Sequence, residues 1–226
     1  MTAIIVHVGQ DEVHVLSDTA VTANDGTVSN FTAKVCPIPH ANLVIAVRGH
    51  TLALGIAVAN LQRAGTAFDE IRANAESALR PVFTDPHPTL TSTLAAMGAT
   101  PDCEIYVAGI SETRGPCAYV MRVTQSATGL DWSIEDIDEE DAMFGPFTPE
   151  IADEFEKRCE ETGGGRLSNL EWVMDRARGI KSPVFGRGEP VAQVGGHVVM
   201  TKITTDRIEL RVVKAWPDKL GAKIEV

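Results

Sequence analysis

The opening of the chain is a series of short β-branched runs cut by turn residues. That punctuation constrains the fold more than any other feature. Ala3–Val8 is apolar apart from His7, Gly9-Gln10-Asp11-Glu12 reads as a turn, and Val13–Leu16 is apolar again before Ser17-Asp18. Two such runs around a polar turn predict a β-hairpin. Asn24-Asp25-Gly26 is a second strong turn signal, set between Thr19–Thr22 and Val28–Val35. Asn42–Val47 then reads as a buried strand closed by Arg48-Gly49. Consecutive hairpins commit the chain to antiparallel pairing.

The period then changes. Leu52, Ile56, Ala57, Val58, Leu61 and Ala64 recur at helical spacing and predict a helix over 51–64. Ile71, Ala75 and Leu79 predict another over 68–80, after which Pro81, Pro86 and Pro88 break the chain. Leu90–Met97 fits neither period. Glu104–Ile110 and Ala118–Val123 read as a buried hairpin joined by Ser111–Pro116, and Trp132–Ile137 as a short strand. Pro149 opens a helix with an acidic first turn, which suits the helix dipole, and Gly163-Gly164-Gly165 ends it. Ser168 caps a further helix over 169–178; 191–203, 207–214 and 222–226 finish as strands. Strand runs alternating with helix pairs predict an α+β fold of antiparallel sheets with helices packed outside. No repeat or long linker divides the 226 residues, so residues 1–226 read as a single domain.

Charge narrows the function. Twenty Lys+Arg against 31 Asp+Glu leave a net charge of −11, which repels nucleic acid and anionic lipid. No apolar run reaches the ~18 residues of a membrane span, and no basic stretch precedes the first apolar run, so neither a transmembrane helix nor a secretory leader is expected. Cys36, Cys103, Cys117 and Cys159 form no CxxC pair and read as free thiols in a reducing, cytoplasmic compartment. The histidines show no metal-binding spacing. The acidic run Asp136–Asp141 lacks the glycine and spacing of a calcium loop and reads as solvated. Gly163–Gly165 lacks the Gly-Lys-Ser/Thr ending of a phosphate loop, and Gly186-Arg187-Gly188 reads as a flexible turn.

The two hairpins place chemistry side by side. Folding the first about Gln10 sets Thr2 opposite Asp18. Folding the second about Gly26 sets Asp18 opposite Lys34. Register then predicts a row of Thr2, Asp18 and Lys34 across three neighbouring strands. Once Met1 is removed, the Thr2 hydroxyl is a nucleophile whose own α-amine, titrating near about 8, can serve as base. Lys34 would favour the neutral amine, Asp18 would orient Lys34, and a backbone N–H near Arg48-Gly49 would meet the oxyanion.

The stretch Thr2 … Ser17-Asp18-Thr19 … Lys34 … Val47-Arg48-Gly49, followed by a helix, resembles the proteasome β-subunits and bacterial proteasome-like peptidases of the N-terminal nucleophile hydrolase superfamily. Tyr106–Val123 is similar to that family's central hairpin, and Gln193-Val194-Gly195-Gly196 before His197–Thr201 to its late glycine pair. The resemblance implies a four-layer αββα sandwich, a threonine-type peptidase with Thr2, Asp18, Lys34 and Gly49 at its site, no metal or organic cofactor, and self-assembly into a homo-oligomeric ring or spiral with an ATP-driven partner. Three departures stand out. The turn Met143–Phe147 carries no serine, Val191 and Val194 occupy positions that are polar in active members, and Thr19 or Ala20 replaces an arginine. With Met1 retained, the Thr2 nitrogen is an amide and cannot act as a base. The alternative expectation is therefore a non-catalytic assembly protein, such as a component of a phage-derived tail or capsid particle.

Overall fold

β1 (Ile4–Val8) and β2 (Val13–Asp18) pair antiparallel around a turn in which the Gly9 N–H donates to the Glu12 carbonyl at 2.9 Å. They sit within one of two five-stranded sheets in the computed structural model, which describes the chain apart from residues 1, 24, 51, 85–91, 95, 97–100, 128, 139–140, 164 and 185–186. That first sheet is ordered β10 (Asp141–Phe144), β1, β2, β13 (His197–Ile203) and β14 (Ile208–Ala215). The second is ordered β5 (Val35–Ile38), β6 (Leu43–Gly49), β7 (Cys103–Ser111), β8 (Gly115–Ser126) and β9 (Gly129–Asp136). β3 (Ala20–Thr22) with β4 (Val28–Phe31), and β11 (Lys181–Val184) with β12 (Arg187–Ala192), form two small sheets. Every pairing is antiparallel.

Four helices accompany these sheets among the described elements: α1 (Leu52–Leu61), α2 (Phe68–Thr84), α3 (Pro149–Thr162) and α4 (Arg166–Arg178). Burial explains the sequence pattern. β1 is apolar without alternation because both of its faces are covered. Ile4 and Val6 pack with Val13, Val15, Val44, Ala46, Tyr106 and Val120, which come from both large sheets. Ala3 and Ile5 pack instead with Phe155 of α3 and Leu170, Val173 and Met174 of α4. On the second sheet, Phe68, Ile71, Ala75, Leu79 and Phe83 of α2 form one buried stripe against Ile45, Ile105, Val107 and Met121. The start of the β7–β8 turn holds α2 reciprocally: the Glu112 carboxylate accepts the Phe68 and Asp69 N–H groups, and Asp69 accepts the Ser111 hydroxyl at 2.7 Å.

Several expectations are corrected. Pro81 does not end α2, which runs on to Thr84. Pro81 lies in its last turns, and the Ser77 carbonyl it leaves without a helical donor is on an exposed residue. Ser168 is not the cap of α4: that helix begins at Arg166, and the Ser168 hydroxyl donates back to the Gly165 carbonyl at 2.6 Å. Residues 191–203 are not one strand, because Gln193–Gly196 separates β12 from β13. Residues 222–226 make only an isolated bridge, Lys223 to Thr27. Of the expected turn Met143–Phe147, Met143 and Phe144 are instead the end of β10, paired with β1. Pro86, Pro88, half of Leu90–Met97, Asn24, Gly164, Gly186 and the middle of the acidic run lie outside the described residues. Among those described, no helix is long and apolar enough to cross a membrane.

Candidate functional site

Asp18, the last residue of β2, is fully buried and accepts four hydrogen bonds from three donor groups. The Lys34 ammonium donates to both carboxylate oxygens at 2.8 Å, the Ala3 N–H reaches Oδ1 at 3.1 Å, and the Gly195 N–H reaches Oδ2 at 3.3 Å. A buried carboxylate needs this many partners to replace lost water. Lys34 is also buried, at 8% exposure. Burial pushes its ammonium below the usual lysine range, against the opposing pull of Asp18.

The route that brings these groups together differs from the expected row. The register of the first hairpin sets Ile4 opposite Ser17, which levels Ala3, rather than Thr2, with Asp18. On its other side β2 pairs with β13, with Val198 opposite Asp18, so β4 is not its neighbour. Lys34 comes from the bend just before β5, in the second sheet, where its carbonyl accepts the Val47 N–H at 3.4 Å. The Asp18–Lys34 pair is therefore an ion pair joining the two large sheets.

Thr2 is 7% exposed, one peptide away from the Ala3 N–H held by Asp18. Gly145 closes on it from β10. At φ +138° a side chain there is strained, and a Cβ would stand 2.6 Å from the Thr2 carbonyl oxygen. Gly49 ends β6, two residues beyond Val47, opposite Cys103. Its φ is +136°, and a Cβ would lie 2.9 Å from the Asp102 carbonyl oxygen. Among the described residues, Gly49 is not bonded to Asp18 or Lys34. It is linked to Lys34 along β6, through the Val47 N–H on the Lys34 carbonyl and the β5–β6 pairing.

Two further features lie where β6 ends beside the start of β7. The Glu104 carboxylate accepts Tyr106 Oη at 2.6 Å, Arg48 Nη1 at 2.5 Å and Arg122 Nε at 3.4 Å. Burial pushes the Glu104 carboxyl up, but Tyr106 and the two guanidinium groups outweigh it and hold it low. His50, next to Gly49, is 2% exposed with neither ring nitrogen hydrogen-bonded among the described residues, and burial depresses its pKa. Sequence reasoning misses the Ala3 and Gly195 donors, because backbone N–H groups carry no side-chain signal; the Gly195-Gly196 pair is the one mark in the sequence that points to the second. Among the described residues, no three His, Cys, Asp or Glu side chains are grouped to hold a metal ion.

No protein-family model matches the chain, and no curated protein does. Solved structures do. The helical assembly of the Anbu complex from Pseudomonas aeruginosa superimposes with a TM-score of 0.60 at 15% identity, over 96% of this chain and 88% of that one. Anbu (ancestral beta-subunit) from Yersinia bercovieri gives 0.56 at 11% identity, over 94% and 88%. At such identity the likeness is one of fold. It also corrects the family resemblance drawn from the Thr2–Gly49 motifs. Neither a family model nor a curated protein places the chain among N-terminal nucleophile hydrolases of the proteasome β-subunit or bacterial peptidase kind, and its neighbours are Anbu complexes, proteasome-related but distinct in fold.

Proposed function

We propose that the chain is a subunit of a proteasome-related, self-assembling particle, and that Thr2, once Met1 is removed, is the nucleophile of a peptide-amide hydrolase. The observation that carries this reading is the convergence of the Ala3 N–H and the Lys34 ammonium on one buried carboxylate, Asp18. It fixes the backbone beside Thr2 relative to a lysine whose proton burial has loosened. In the reaction, Thr2 Oγ attacks the peptide carbonyl carbon and gives its proton to the Thr2 α-amine. The tetrahedral oxyanion takes hydrogen bonds from backbone N–H groups near Gly49. Collapse breaks the C–N bond, the amine leaves with the transferred proton, and water hydrolyses the acyl ester. Lys34 tunes the α-amine and Asp18 orients Lys34.

The same proposal takes residues 1–226 as one domain stacked helix pair, sheet, sheet, helix pair, a layering supported by the three apolar clusters. The Anbu complex of Pseudomonas aeruginosa is a helical assembly, which supports a homo-oligomer here; a cytoplasmic setting suits four free cysteines. Intact mass and a Thr2→Ala comparison on a fluorogenic peptide panel test the chemistry. The expected result is loss of Met1 and a fall in kcat of at least about 10³-fold in the variant. Equal rates in both proteins remove Thr2 as nucleophile. A second reading, an assembly subunit without chemistry, is favoured by Val194, which is fully buried against α3 and α4. A retained methionine would select it.

A further inference from the structure

The segment that follows β14 folds back over the far side of the Asp18 site. Arg178, the last residue of α4, makes a fork-to-fork ion pair with Asp218, with Nη1 to Oδ2 and Nη2 to Oδ1 both at 2.7 Å, and the two side chains are only 10% and 3% exposed. The same guanidinium donates to the Val194 carbonyl at 3.3 Å and the Glu225 carbonyl at 2.8 Å, and it stacks on the Trp216 ring. Asp218 Oδ2 accepts the Gly196 N–H at 2.7 Å. Further along, Ile224 packs with Ala20, Val28 and Ala192, while the Val28 N–H donates to the Ala222 carbonyl at 2.8 Å.

All of these contacts bear on one turn. A Cβ on Gly195 would meet Asp218 Oδ2 at 2.6 Å, Ile224 Cδ1 at 2.8 Å and Arg178 Nη1 at 3.1 Å, so the segment presses directly on the Gly195 Cα. From the other side, the Gly195 carbonyl accepts the Thr19 and Ala20 N–H groups at 3.2 and 3.0 Å, and the Gly195 N–H donates to Asp18. Two adjacent glycines lose more freedom on ordering than any other pair, so a donor placed on them needs outside support to stay aimed.

We propose that the Arg178–Asp218 pair and the 216–226 segment are a positioning strap for Asp18: they hold the Gly195 N–H on Asp18 and thereby fix the bidentate grip of Asp18 on Lys34. Arg178 and Asp218 are positioning residues, acting through Gly195. A catalytic role for Asp18 rests on the function proposed above; the strap itself rests on the distances.

The test uses the full chain and two variants, Asp218→Asn and Ile224→Ala. Lys34 is trace-labelled with acetic anhydride and read by mass spectrometry, alongside hydrogen exchange and far-UV circular dichroism. With the secondary structure retained, both variants should raise Lys34 acetylation by about threefold or more and speed exchange in peptides covering residues 17–20 as well as 193–196. Unchanged Lys34 acetylation, with faster exchange confined to 193–196 and 216–226, would overturn the strap. Asp218→Asn leaves a buried guanidinium without its counter-charge; should that variant unfold, Ile224→Ala, which changes no charge, decides by the same readouts. Restored protection of Lys34 in Arg178→Lys, relative to Arg178→Met, marks the charge as the holding element. None of these readouts needs turnover, so the strap stands or falls on its own even in a chain whose Thr2 proves inert.

Discussion

Asp18 and Lys34 concentrate the largest single-residue effects because each is buried on the other's account. Removing one partner leaves an unpaired charge in the interior, whereas removing both leaves no stranded charge, only a packing defect and the Ala3 and Gly195 N–H groups without their acceptor. Asp18→Ala should therefore cost about 3–5 kcal/mol in urea denaturation, and Lys34→Met a comparable amount, while Asp18→Ala combined with Lys34→Met should cost clearly less than the sum of the two. Additive losses in the double variant would mean that the two side chains are stabilised separately. Residue identity at this site is legible in the sequence: an acid ends a strand pattern, and a lone lysine stands just before Val35. Their route to each other is not. A one-residue slip in hairpin register is invisible in a run such as Ile4-Ile5-Val6, where both faces are apolar and no alternation fixes which side faces which core.

Strands are legible where burial writes a long pattern and illegible where pairing alone makes them. β6, β7 and β8 lie in the middle of the second sheet and each carries an apolar run of four or more residues. β10 is the short edge strand Asp-Ala-Met-Phe, and β11 and β12 carry Pro183 and Pro190, so nothing local marks them as strands. The first hairpin also carries a pH-dependent element. His7 and His14 face each other across β1 and β2 with ring centroids 5.9 Å apart. Burial pushes the His14 imidazole down to about 4; Glu12, at 3.4 Å, opposes that shift, while His7, Lys202 and Arg211 reinforce it. The folded value lies below the ordinary 6.5, so the unfolded chain binds the extra proton first. His14 therefore leaves stability intact above about pH 6.5 and lowers it as the pH falls towards 4, by a total on the order of 3 kcal/mol. Asp141, whose carboxyl His7 and Arg166 hold low against burial, begins to lose its contribution as the pH falls through the ordinary carboxylate value of 3.8. Urea midpoints measured from pH 7.5 to 4 should slope steeply for the wild type and flatten in His14→Gln. Parallel slopes would assign the acid sensitivity to another group.

At the scale of the whole molecule, the question is whether the two large sheets melt together. Ile4, Val6, Val13 and Val15 of the first sheet share one apolar cluster with Val44, Ala46, Tyr106 and Val120 of the second, and the Asp18–Lys34 ion pair crosses between the same two sheets. Neither sheet can leave the other without exposing that cluster and stranding two charges, which favours one cooperative transition. The tryptophans report on opposite sides of it. Trp132 packs with the α1–α2 cluster, edge-on to Phe83 at 5.6 Å, whereas Trp172 and Trp216 pack with the α3–α4 cluster. A chain carrying Trp172→Phe and Trp216→Phe reports through Trp132 alone, and a Trp132→Phe chain reports through the other two. In a single-domain protein both should show the same urea midpoint. Leu79→Ala, a cavity beneath α2, should lower both by the same free energy, about 2–5 kcal/mol, although it touches only the Trp132 side. A midpoint that moves for Trp132 and stays fixed for the other two would divide the chain into units that fold separately. Asp18 and Lys34 would then sit on different units, and the site would exist only while those units stayed docked.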